Sequence, residues 1–268
     1  MTRRRQFRGL RRRTGWCRNP LRAVLAAPRT VQLAIGVFVV VALWAVVNWT
    51  YQALRKPTEL LFPVSSALAK TPSETWQEYS PQFRKHATTV ITPEFLAALA
   101  QIESGGNPLA RTYWRWRPTW HPFELYRPAS SALGMYQITD GTFDQTRRAC
   151  QHESAVSDDE PVDALRPCWF ASLYARVVPH DAIALTSALL DRGVARTLKR
   201  QRIATATLQQ KQDLAAVIHL CGAGAGQAYA QRHLRLLPGQ RCGDHVVGAY
   251  LGRINEMKRQ FARLAHAA

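Results

Sequence analysis

From Thr30 to Leu54 the chain carries no charged residue, and Val37 to Leu43 is almost continuously aliphatic or aromatic. At about 1.5 Å per residue such a run, if helical, exceeds the ~30 Å hydrocarbon core of a bilayer. Trp44, Trp49 and Tyr51 lie toward its far end, as interfacial aromatics often do. The first thirty residues hold ten arginines and no acid. The positive-inside rule therefore puts this arm in the cytoplasm and everything after Arg55 across the membrane. Four parts follow: a basic arm 1–29, a transmembrane signal anchor 30–54, a linker 55–81 and a folded domain 82–268.

Two other uses of this end are weaker. Thr2 to Phe7 looks like a loose twin-arginine signal, with Ala67-Leu68-Ala69 as a cleavage site. The apolar run is longer than an ordinary signal core and starts some twenty-five residues after the arginine pair, which favours an uncleaved anchor. An arginine-rich arm also suits nucleic acid. Directly before a membrane span, attraction to anionic lipid is the simpler account, and no nucleic-acid partner is expected.

The cysteines agree with this topology. Cys17 stands alone on the inner side, while Cys150, Cys168, Cys221 and Cys242 form an even set on the other, where an oxidising compartment favours disulfides. Three pairings are open. Neighbour pairing would close two short loops, each contributing roughly 3 kcal/mol in the chain-entropy model. A zinc site is disfavoured because the chain has no CxxC pair, and neither metal nor cofactor is expected.

Beyond the span the pattern is helical. Scattered Pro, Ser and Thr make Arg55 to about Pro81 read as a linker with some local helix. Apolar periodicity predicts helices from about Thr142 to Cys150, from Asp181 as N-cap to Lys199, from Thr207 to Leu220, and from near Asp244 to the C-terminus. No run of alternating strands competes, and a short β-hairpin or loop before Gly134 completes a mainly α class. From Val90 onward 21 Lys and Arg face 15 Asp and Glu, a balance of +6 that attracts anionic partners.

One carboxylate stands out. Thr92 is a good N-cap, Pro93 suits the first helical position, and Glu94 favours the positive helix end. Phe95, Leu99 and Ile102 form a core-facing stripe, and Gly105 with Gly106 stops the helix. Glu103 thus falls in the last turn beside the buried face, where the negative helix end and partial burial are expected to raise its pKa. A carboxyl kept protonated near neutral pH is suited to protonating a glycosidic oxygen.

The segment Gln101-Ile102-Glu103-Ser104-Gly105-Gly106-Asn107, followed about thirty residues later by Ser131-Ala132-Leu133-Gly134-Met135-Tyr136-Gln137-Ile138-Thr139, resembles the soluble lytic transglycosylases. These lysozyme-like enzymes cut the glycan strands of bacterial peptidoglycan. The resemblance spans roughly Val90 to Arg259 and implies a lysozyme-like, mainly α domain, which the apolar run above would anchor in the inner membrane and hold in the periplasm. It implies Glu103 as the catalytic acid, with Ser104, Gly134, Met135, Tyr136 and Gln137 as substrate-binding positions. Gly134-Met135-Tyr136-Gln137 matches a Gly-Leu-Met-Gln segment with two departures in size. Tyr250 falls where the family has a late Tyr able to orient the acid.

The clearest departure is His219-Leu220-Cys221-Gly222-Ala223-Gly224-Ala225-Gly226, similar to the family's Tyr-Asn-Ala-Gly-x-Gly turn with Cys221 for Tyr and Gly222 for Asn. His219 is a candidate substitute there, against the plainer reading of a core histidine. The aromatic and basic stretch Arg111 to Tyr126 reads either as a glycan-binding wall or as rings that pin an insertion or touch the membrane surface. A second catalytic carboxylate would have to be Glu124 or Asp140, neither at a family catalytic position. The expected activity is a lytic transglycosylase on peptidoglycan strands, of the kind that opens the wall for conjugation or secretion machines. A goose-type lysozyme-like hydrolase using Asp140, and a catalytically weak glycan-binding module, are the alternatives.

Overall fold

A computed structural model describes residues 24–25, 27–56, 59–60, 66–144 and 175–267. It is mainly helical, as the periodicity predicts. Two compact units divide at Tyr51 and Gln52. The first contains most of helix α1 (Arg29–Arg55), a 27-residue helix long and apolar enough to cross a membrane. That property suits a membrane anchor and a signal sequence alike.

The second unit begins its core earlier than expected. The stretch read as linker holds most of helix α2 (Pro72–Lys85), closed at its start by a capping box between Thr71 and Glu74. Its Trp76, Tyr79 and Phe83 are buried in the core. Helix α3 (Pro93–Ser104) is the central rod. Thr92 caps it, with Pro93 next, and every residue from Phe95 to Ala100 is buried. A helix apolar on all sides needs neighbours all round. It has α2 on one flank and the last helix, α6 (Val247–Ala267), along another. Ala97, Ala98 and Ala100 leave room for those close approaches. Gly105, left-handed at φ 63°, ends the helix as the C-cap.

The expected hairpin before Gly134 is present: β1 (Trp114–Trp116) pairs antiparallel with β2 (Tyr126–Pro128). Helices α4 (Pro179–Arg200) and α5 (Leu208–Gln231) pack on each other. In α4 Asp181 is a first-turn acid and Val178 takes the N-cap position, a shift of the predicted start. In α5 Thr207, the predicted start, is the N-cap, but the helix runs on past Leu220 through a kink at Gly222. The last helix starts at Val247, not near Asp244. Asp244 sits in the turn of a small hairpin, β3 (Arg241–Cys242) with β4 (His245–Val246). Of the helix expected over Thr142 to Cys150, residues 140–144 are helical and the remainder lies outside the described residues.

Candidate active site

Three helices bring one side chain each to a single point. Glu103 sits in the last turn of α3, Tyr250 in the first turns of α6, and His219 in α5 just before its kink. The Tyr250 hydroxyl donates to Glu103 Oε1 at 2.5 Å. His219 Nε2 stands 3.6 Å from the same oxygen. Both side chains are largely buried, 14% exposed for His219 and 17% for Glu103. Among the described residues no hydrogen bond reaches Oε2, so the carboxyl is held by one oxygen only.

The direction of the Glu103 shift reverses the sequence expectation. Burial is the largest single influence and pushes the carboxyl up. The hydrogen bond and charge of His219, the Tyr250 hydroxyl and the charge of His245 act together the other way and leave the group below the ordinary carboxylate value. Helix end and burial were legible along α3; the opposing groups come from α5, α6 and β4. Tyr250 is pushed well up, first by burial and then by the neighbouring carboxylate, so its proton stays on and it acts as the donor.

The Gly222 turn is braced covalently. Cys221 and Cys242 are joined, with Cα atoms 5.6 Å apart. Cys242 pairs in the hairpin with His245, whose charge acts on Glu103. The disulfide thus fastens the kinked part of α5, next to His219, to the strand pair that supplies His245. Gly222 has φ 82° and ψ 172°, backbone that essentially only glycine adopts, and a Cβ there would meet nothing within 4 Å. Conformation rather than crowding demands glycine. The other predicted pair, Cys150 and Cys168, lies outside the described residues.

The Gly134 to Gln137 segment is tied to the end of α3, though not in the way the resemblance implies. Ser104 Oγ donates to Met135 O at 2.8 Å and to Ala100 O at 3.0 Å, and accepts from Asn107 N at 3.2 Å. It is a brace between helix end and loop. Met135 and Tyr136 are wholly buried, and the Tyr136 hydroxyl donates to Leu96 O at 3.3 Å. Their side chains are core. Gly134, at φ 78°, lies so close to the Arg176 carbonyl that a Cβ would fall 1.8 Å from its oxygen. Gln137 donates both its amide bonds inward, to Gly134 O at 3.0 Å and Ala110 O at 3.1 Å, leaving its carbonyl oxygen for any outside contact.

The two other candidate carboxylates are engaged elsewhere. Asp140 accepts from Arg176 at 2.6 Å. Glu124 lies 3.6 Å from Arg55 and 3.4 Å from Arg127. His245 is the contributor that the sequence did not reveal, because its position depends on the β3–β4 turn and on a disulfide rather than on any local pattern.

Residues 81–170 match the family model described as Transglycosylase SLT domain, a stretch that includes Glu103 and the Gly134 to Gln137 segment but neither His219 nor Tyr250. No curated protein matches the chain. With a capped helix delivering Glu103 and a Gly-x-x-Gln loop tied to that helix end, residues 81–170 are a transglycosylase SLT domain of the lysozyme-like superfamily.

Proposed function

We propose that this chain is a membrane-anchored lytic transglycosylase, cleaving the bond between N-acetylmuramic acid and N-acetylglucosamine in peptidoglycan. The hydrogen bond from Tyr250 to Glu103 carries the reading. It fixes one carboxyl oxygen and leaves the other for the substrate. A single carboxyl then serves twice. Protonated, Glu103 gives its proton to the glycosidic oxygen as the bond to C1 breaks. As carboxylate, it takes the proton of the muramoyl C6 hydroxyl while that oxygen bonds to C1, closing a 1,6-anhydro ring. No water is consumed.

The resting carboxyl sits below its ordinary value, so it must gain a proton before the first step. Bound glycan removes the remaining water and strengthens burial, the influence that raises it. Asp140, paired with Arg176, is poorly disposed to act as a hydrolase base.

The basic arm inside and the SLT domain in the periplasm of a bacterial inner membrane follow from the arginine asymmetry around α1. Conjugation or secretion machines that must pass the wall are the fitting partners. The Gly222 departure and the lowered Glu103 favour, as a second reading, a glycan-binding module of low activity. Digestion of purified peptidoglycan by the detergent-solubilised full chain separates the two: 1,6-anhydromuramic ends support the transglycosylase, reducing ends a hydrolase, and bound but uncut strands the module.

A further inference from the structure

The β1–β2 hairpin is fastened to the residues that directly follow the apolar run. Gln52 Nε2 donates to Phe123 O at 2.6 Å, and Lys56 Nζ donates to Ala132 O at 3.0 Å. Glu59, fully buried, accepts from Arg111 at 2.7 Å and from the Trp114 indole at 2.8 Å. Helix α1 has 27 residues, or about 40 Å at 1.5 Å per residue. A ~30 Å hydrocarbon core takes up about twenty of these, from Thr30 on. Gln52 to Lys56 then lie just beyond that core in the chain, and the hairpin is bonded to these residues.

Its composition fits the place. Trp120 is fully exposed and Trp116 is 67% exposed, with Arg115 and Arg117 exposed beside them. From Gly105 to Phe123 the chain has no acidic residue. Large exposed indoles are unusual on a surface meant only for water, whereas indoles beside guanidinium groups suit an interface of apolar chains and anionic headgroups. On the anchored reading above, we propose that this hairpin tip is a second membrane contact: Trp116 and Trp120 enter the interfacial layer, and Arg115 and Arg117 pair with anionic phospholipid. The contact would hold the domain close to the bilayer and fix its orientation.

The test uses the full chain with Cys17→Ser in vesicles of phosphatidylcholine and phosphatidylglycerol. Trp120→Cys, or Trp49→Cys within the anchor, carries an environment-sensitive fluorophore, and lipids spin-labelled near the headgroup serve as quenchers. The expected result is a blue-shifted emission at position 120 that the quencher removes. Quenching should weaken when Arg115→Gln and Arg117→Gln are added or phosphatidylglycerol is omitted. Quenching at 49 with none at 120 overturns the proposal and leaves the anchor standing. Loss at both positions removes the anchor first. A fluorophore at 120 that answers to soluble glycan fragments rather than to lipid assigns the tip to substrate binding, which also overturns it.

Discussion

The phenol of Tyr250 and the carboxyl of Glu103 come from helices 147 positions apart in sequence and meet at 2.5 Å, the phenol donating to Oε1. Tyr250 is almost wholly buried, so its ring is core and its hydroxyl is the only part with a chemical task. Tyr250→Phe keeps the packing and removes the donor. A hydrogen bond to a charged acceptor contributes about 1.5–3 kcal/mol. Glycan cleavage should fall by roughly ten- to a hundredfold. A loss no greater than twofold would deny Tyr250 its role.

His219 supplies the strongest of the influences that lower Glu103. With His219→Gln the carboxyl should move up, and the acid limb of the pH–rate profile with it. The stability effect has a definite sign. A depressed carboxyl stabilises the fold above its ordinary value near 4.5 and loses that contribution as pH falls through the lowered value. The variant should therefore lose less stability than wild type on acidification below about 4.5, as read by denaturant titration across pH.

The Cys221–Cys242 bond closes a loop with a sequence separation of 21, which in the chain-entropy model contributes about 3 kcal/mol. Because it also positions the hairpin bearing His245, Cys221→Ser with Cys242→Ser should lower activity more than the stability loss alone explains. Thiol counting on denatured, unreduced protein should find only Cys17 reactive, with Cys150 and Cys168 expected to be paired.

At position 222 the site departs from the family pattern, and restoring the family's Asn should not repair it. The left-handed extended backbone there costs a non-glycine residue about 1–3 kcal/mol, although a side chain has room. Gly222→Asn should lower the melting temperature without raising activity. A gain in turnover would show that the kink rearranges to accept the amide.

Glu103 and Tyr250 were legible because each lies on a helix with a clear cap or period. The sign of the Glu103 shift was not, since it depends on His219 and His245 arriving from other elements. Helix α2 was hidden by its polar composition and by Pro81, and only its buried stripe of Trp76, Tyr79 and Phe83 gives it away. Within Gly134 to Gln137 the inward packing of Met135 and Tyr136 was not legible, because the resemblance speaks of the loop and not of the core behind it. Asp244 has the chemistry of an N-cap, but the β3–β4 pairing places it in a turn.

The central claim is that Glu103 delivers and recovers the proton. Glu103→Gln preserves the side chain's shape and removes its acid. Digests of purified peptidoglycan by the full chain, analysed by mass spectrometry, should show 1,6-anhydromuramic products from wild type, one water lighter than hydrolytic ends. The variant should make them orders of magnitude more slowly while still binding the strands. Undiminished anhydro product from Glu103→Gln would contradict the account.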